Sequence, residues 1–303
     1  KIIYFYINNI IKGFKYMRFA DPTSAEEAVK LLSEESGLSK VLAGGTDLLV
    51  QMKSGIIEPD LIVDIKKIPG IREIIPENGG YRIGAAVSGS ELSEHREITK
   101  FIPGVVEACE LIGSTQIQGR CTMVGNLCNS SPAADTTPAL FAVEAQVNIA
   151  GPSGNRTCSI EDIPIKPGLN SLKKGEFITS IFIPSRPKLS ADAYLRFTPR
   201  TEMDIAVVSA GVSLEIDNQK KCIKAVIALG AVAPTVITVE KASNHLLGTK
   251  LEEAALKNMA DECIKACNPI DDKRGTIEYR TEVSGVLAKR AAKIAYDRAG
   301  EKL

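Results

Sequence analysis

The stretch Leu42-Ala43-Gly44-Gly45-Thr46-Asp47-Leu48-Leu49 constrains this chain most. It reads as the end of a buried strand (residues 40–42), a turn that only glycines make at low cost, and a short apolar element leaving it. Two adjacent glycines remove two Cβ atoms, so backbone N–H groups can approach an anion closely, and Thr46 adds a hydroxyl donor. A Gly-Gly pair by itself more often marks a tight turn than a ligand site. A second Gly/Asn turn, Thr122-Met123-Val124-Gly125-Asn126, lies further on, followed by Ser130-Ser131-Pro132-Ala133-Ala134-Asp135. Together the two polar turns predict one phosphate-bearing ligand gripped from two sides.

The flanking pattern places these turns in an α+β chain. Thr23 and Glu26 have capping-box spacing before a helix whose apolar positions are Ala25, Ala28, Val29 and Leu32. Residues 61–65 and 81–85 read as strands, and residues 103–112 as a helix with Pro103 at its first turn and Gly113 as its stop. Residues 113–135 read as a long, polar, irregular and therefore functional loop. A helix over 138–144 and strands at 146–150 and 177–183 follow. A glycine turn after a strand invites comparison with dinucleotide-binding folds, but the G-x-G-x-x-G pattern is absent.

Beyond a linker at 185–188 the pattern changes. Strands at 205–216 and 222–229 flank a hairpin at Asp217-Asn218, and helices follow over 239–247, 251–266 and 277–298, with Thr249 and Glu252 spaced as another capping box. That is a second α+β domain. Residues 1–16, rich in Ile, Tyr and Lys, are expected to be a leader outside the fold, with Met17 as the natural start.

Lys+Arg and Asp+Glu number 37 each, for zero formal net charge, and no basic-aromatic patch appears, which argues against nucleic acid as a partner. The near-neutral surface favours association with other subunits. The seven cysteines show no CxxC and point to a reducing, cytoplasmic compartment; Cys263 and Cys267 read as small buried residues rather than metal ligands. No nucleophile–base–acid arrangement is legible. His95 and His245 stand isolated, so the chemistry of an enzyme built on this chain must come from a cofactor.

Taken in order, residues 43–47, 112–117, 122–126, 131–135, 204–207, 272–275 and 278–280 resemble the FAD-binding medium subunit of the molybdenum hydroxylases, the family of xanthine dehydrogenase and aerobic carbon monoxide dehydrogenase. The resemblance runs from Met17 to the end. It implies an FAD-binding domain of the vanillyl-alcohol-oxidase (PCMH) type over 17–185, with subdomains of about 17–70 and 71–185, then a carbon monoxide dehydrogenase flavoprotein-like C-terminal domain over 191–300. It implies further that Leu42, Ala43, Gly44, Gly45, Thr46, Asp47, Leu48 and Leu49 wrap the FAD pyrophosphate and that Thr122, Gly125 and Asn126 form the opposing turn. By the same resemblance Asp135 binds the adenosine part, Ile112 and Gly113 approach the isoalloxazine, Ile178 gives backbone contacts, and Arg196 stands where a flavin-side Lys is usual.

The implied role is electron transfer from iron–sulfur clusters on a small subunit, fed by a molybdopterin-binding large subunit, through FAD to an acceptor such as NAD. The implied assembly is a dimer of heterotrimers in the cytoplasm. Three positions depart from the family pattern: Val124 replaces the first of two glycines, Arg196 replaces Lys, and Ile112 offers no aromatic face. An FAD-free scaffold of the same fold is the alternative that Val124 raises.

Overall fold

The computed structural model describes residues 3–5 and 17–303. The leader expected over residues 1–16 lies outside the described residues apart from strand β1 (Ile3–Phe5), which pairs antiparallel with β2 (Met17–Ala20).

Three units follow one another along the chain. The first contains β2, α1 (Ala25–Glu34), β3 (Ser39–Leu42), α2 (Leu48–Lys53) and β4 (Leu61–Asp64). β2 and β3 both run parallel to the central β4, whose Leu61, Ile62 and Val63 are all buried, as a continuous apolar run in a parallel sheet requires. The cap of α1 is Ser24, whose hydroxyl accepts from Glu27 N–H, while Glu27 accepts from Thr23 N–H. The predicted Thr23/Glu26 box is therefore displaced by one residue. Both pairs have the same spacing, and the extended backbone of Ser24 selects the second.

The second unit is an antiparallel sheet in the order β5 (Ile74–Glu77), β6 (Gly80–Gly84), β11 (Phe177–Ile183), β7 (Gln146–Ala150), β8 (Arg156–Ser159), with a small hairpin of β9 (Pro164–Lys166) and β10 (Leu169–Asn170). Between β6 and β7 come six short helices: α3 (Gly89–Glu94), α4 (Arg96–Phe101), α5 (Pro103–Glu110), α6 (Thr115–Gln118), α7 (Met123–Cys128) and α8 (Thr136–Ala142). The expected irregular loop over 113–135 is thus corrected to a segment holding α6 and α7. Helices of four and six residues are too short to display a helical period, and Gly125 and Asn126 are poor helix formers.

The third unit is an antiparallel meander of β12 (Ser190–Phe197), β13 (Val208–Ile216), β14 (Cys222–Gly230) and β15 (Ile237–Thr238), followed by α9 (Glu240–Asn244), α10 (Glu253–Ala266) and α11 (Ile277–Gly300). The strand expected from residue 205 begins only at Val208, because the Asp204 carboxylate takes the Ile205 N–H and holds that segment in a local turn. The Thr249/Glu252 capping box does not form either. Leu251 adopts a left-handed φ of 57° and donates its N–H to the Thr249 hydroxyl, which postpones the helix to Glu253.

Helices from both sides cover the meander. α11 lays Ala288, Ala291, Ala292, Ala295 and Ala299 against one face. α5 and α8 of the second unit press on the other: a Cβ on Gly104 would lie 2.7 Å from the Ala193 backbone, and one on Gly211 would lie 2.5 Å from the Pro138 carbonyl oxygen. Only glycine at those two positions permits so close a packing.

Candidate functional site

A cleft opens where the first unit meets the second. Its walls include Ala43, Gly44, Gly45, Thr46, Asp47 and Leu48 from the first glycine turn, Thr122, Val124, Gly125 and Asn126 from the second, and Ile112 and Ile178 between them. The two turns touch: a Cβ on Gly44 would overlap the Arg120 carbonyl oxygen and sit 3.1 Å from the Cys121 Cα. Gly45 takes φ +83°, a left-handed conformation that side chains rarely adopt.

Local backbone geometry turns both loops into donor sets. The first four N–H groups of a helix lack intrahelical acceptors. Among the described residues, the amides of Gly44, Gly45, Thr46 and Asp47 ahead of α2 donate to no protein acceptor, nor do those of Met123 and Val124 opening α7. In α7 the Thr122 hydroxyl takes the Gly125 N–H (2.9 Å). Asn126 turns its side-chain carbonyl to the Thr136 N–H and hydroxyl at 3.1 and 2.7 Å, locking α7 to α8. Lys66 braces the first turn, donating to the Ala43 carbonyl (3.0 Å) and pairing with Asp64 (2.6 Å). Two groups of unpaired amides on turns that abut at one cleft suit a diphosphate.

Val124 is one of the wall residues. It has ordinary helical geometry inside α7 and its side chain is only 7% exposed, packed in the hydrophobic core. Gly113, at φ +57°, lies at the end of the Ile112 segment; Gln118 donates to the Ile112 carbonyl (3.2 Å), and the Gly113 carbonyl accepts the Met203 N–H (3.1 Å) from the C-terminal unit.

Other predicted site residues stand elsewhere. Leu42 is buried beneath the turn, Leu49 points outward at 49% exposure, and Gly113 is absent from the cleft walls. The structure does not bring Asp135 and Arg196 to those walls; it brings them to each other. Arg196 from β12 donates to one Asp135 oxygen (2.9 Å), and the buried Tyr194 hydroxyl donates to the other (2.9 Å). Burial pushes the Asp135 carboxyl up despite these two partners, and it raises the Tyr194 phenol well above its ordinary range. The pair thereby joins α8 to the C-terminal sheet.

The sequence reading also missed several wall residues, including Cys121, Cys128, Asn129, Asn170 and Glu176. Glu176 is held to about 2 by the Arg156 guanidinium, bound through two hydrogen bonds of 2.8 Å. The Asn170 amide donates to the Cys128 carbonyl (2.9 Å), a contact across 42 residues that no local pattern announces. Neither histidine reaches the cleft: His95 caps α4 through Nδ1, and His245 ends α9. Cys263 and Cys267 contact Met259 and Ser284, and the described residues contain no group of three or more side chains placed to hold a metal.

Comparison with known proteins places the fold in a family. Residues 13–186 match the family described as the FAD binding domain in molybdopterin dehydrogenase, and residues 193–295 match the CO dehydrogenase flavoprotein C-terminal domain. The chain is 31% identical to the carbon monoxide dehydrogenase medium chain of Hydrogenophaga pseudoflava, over 91% of this chain and 96% of that one. It is 27% identical to the putative xanthine dehydrogenase FAD-binding subunit of Escherichia coli K12, over 96% and 99%. A solved carbon monoxide dehydrogenase from Hydrogenophaga pseudoflava superposes with a TM-score of 0.89 at 31% identity, covering 93% of this chain and 98% of that one. With both halves matched in order and the glycine cleft intact, the chain belongs to the FAD-binding medium-subunit family of the molybdenum hydroxylases.

Proposed function

We propose that the cleft between the first two units holds the FAD diphosphate and that the chain relays electrons within a larger molybdenum hydroxylase. The observation that carries the reading is the contact of Gly44 with Arg120, which brings together the two turns that bear unpaired amides. The residues present fit the cofactor: the donors are main-chain groups, the flanking carboxylate of Glu176 is engaged by Arg156, and the Val124 side chain packs into the core.

When bound, FAD supplies redox chemistry that exchanges electrons with iron–sulfur centres on one side and a soluble acceptor such as NAD on the other. Everything the chain itself does is positional. Gly44, Gly45, Thr46 and Asp47 donate N–H groups to one phosphate and Met123 and Val124 to the other, while Lys66 and Asn126 fix the two turns. Ile112 and Ile178 give an apolar wall along the cleft, and Gly113, outside that wall, is tied to Met203 of the C-terminal unit. Asp135 and Arg196 hold that unit in register behind the cofactor.

Relatives are named as medium chains or subunits, and the partners proposed for this chain are accordingly a large molybdopterin-binding subunit and a small iron–sulfur subunit, assembled as a dimer of heterotrimers in the cytoplasm. Among the described residues no helix is long and apolar enough to cross a membrane. The test is FAD titration of the reduced chain by flavin fluorescence, followed by NADH addition to the assembled complex. Stoichiometric binding and bleaching of the flavin bands support the reading; a folded chain that takes up no FAD at saturation sinks it.

A further inference from the structure

Directly behind the cradle stand two cysteines that cofactor binding does not use. Cys109 lies in the last turn of α5, fully buried, while Cys121, 4% exposed, immediately precedes Thr122 and borders the cleft. Their sulfurs crowd one small space over Gly89: a Cβ there would be 3.1 Å from Cys109 Sγ and 3.4 Å from Cys121 Sγ. Gly89 N–H donates to the Cys121 carbonyl (2.9 Å), fixing the backbone that carries the second thiol. The neighbouring sulfur, together with burial, pushes the Cys109 thiol well up; the same contact draws Cys121 down, the only one of the seven cysteines so lowered. A thiol at the edge of a cleft, backed by a second and fully buried thiol, is the arrangement of a nucleophile and its resolving partner.

We infer that Cys109 and Cys121 form a reversible dithiol–disulfide site, oxidised by hydrogen peroxide entering through the cleft, and that this disulfide and bound FAD oppose one another. The step balances. Cys121 thiolate attacks one peroxide oxygen, the O–O bond breaks, and the departing hydroxide takes a proton to become water. Cys109 sulfur then attacks the resulting sulfenic sulfur, gives up its proton, and the S–O bond breaks to release a second water. Two thiols lose two electrons and one peroxide gains them.

The opposition to FAD follows from where the strut lies. A disulfide bond of about 2.05 Å draws the sulfurs well inside van der Waals contact. Cys109 is fixed in the core on α5, so Cys121 moves, and Cys121 with Arg120 is the surface on which Gly44 rests. Closing the bond therefore pulls the second turn from the first and separates the two donor arrays. By linkage, FAD that holds the turns together disfavours the disulfide at equilibrium by the same factor that the disulfide weakens FAD, and FAD filling the cleft also covers the path by which peroxide reaches Cys121.

This inference rests on FAD occupying the cleft, and the test separates the two ideas. The full chain is treated with peroxide with and without saturating FAD, alkylated, digested and analysed by mass spectrometry; FAD affinity is then measured before and after oxidation and after dithiothreitol. The expected results are a Cys109–Cys121 cross-linked peptide that forms at least ten-fold more slowly with FAD present, a ten-fold or greater loss of FAD affinity on oxidation, and recovery on reduction. Cys109→Ser should stop at a Cys121 sulfenic acid that dimedone traps. Absence of the cross-link, or its formation at one rate with and without FAD in a chain that binds FAD, overturns the inference. If Gly45→Val retains full FAD affinity, the cradle reading fails, and this inference falls with it.

Discussion

At the scale of single residues, the cradle depends on atoms that are missing. Gly45→Val places a side chain at φ +83° with its Cβ 3.0 Å from Leu42 and 3.2 Å from Leu49, so the turn must rearrange at a cost of about 1–3 kcal/mol. The expected outcome is a loss of FAD affinity of about 100-fold by fluorescence titration, with the circular dichroism spectrum of the folded chain kept. Gly44→Ala acts differently, because its Cβ meets Arg120 backbone rather than a side-chain tip; it should also impair FAD binding and lower the melting temperature. These glycines were legible in the sequence because close approach and positive φ exclude other residues. Asp135 and Arg196 were visible as residues, but their pairing was not: 61 positions separate them, and only the packing of α8 on β12 brings them together.

Elements show how local signals compete. Thr122→Val removes the acceptor for the Gly125 N–H while keeping shape, and loss of such a cap costs about 1 kcal/mol. FAD affinity should fall several-fold, since Met123 and Val124 amides are aimed by that first turn; calorimetric titration measures it. The long strands β11 and β13 and helices α10 and α11 were readable from periodicity, which has room to repeat over seven to 24 residues. α6 and α7 were not, being shorter than two turns, and β12 escaped because Ala191, Asp192 and Ala193 lack strand character. Asp192 is nonetheless buried there, accepting from Arg186 and from Val105 N–H, so tertiary contacts supply what propensity withholds.

For the whole molecule, charge pairs hold the units together. Asp135→Ala leaves the Arg196 cation buried and without its carboxylate, which should cost about 3–5 kcal/mol in a denaturant melt, whereas Asp135→Ala combined with Arg196→Met should recover part of it. Acid should weaken the chain through Glu176. Its folded pKa of about 2 lies below the ordinary value of 4.5, so its contribution is present above pH 4.5 and is lost as pH falls toward 2. Arg156 is partly solvated, which limits the effect to on the order of 1–2 kcal/mol; Glu176→Gln should flatten the stability profile across that interval.

The glycine seams at Gly104 and Gly211 carry a last consequence. Because the C-terminal meander is the roof over α5 and α8, expressing residues 17–186 alone would strip a greasy floor bare rather than release a self-sufficient module. Such a fragment should bind hydrophobic dyes and precipitate, whatever FAD is added. Insertions and fusions in this chain belong at its hairpin tips, and a cut at the natural-looking linker is the one to avoid.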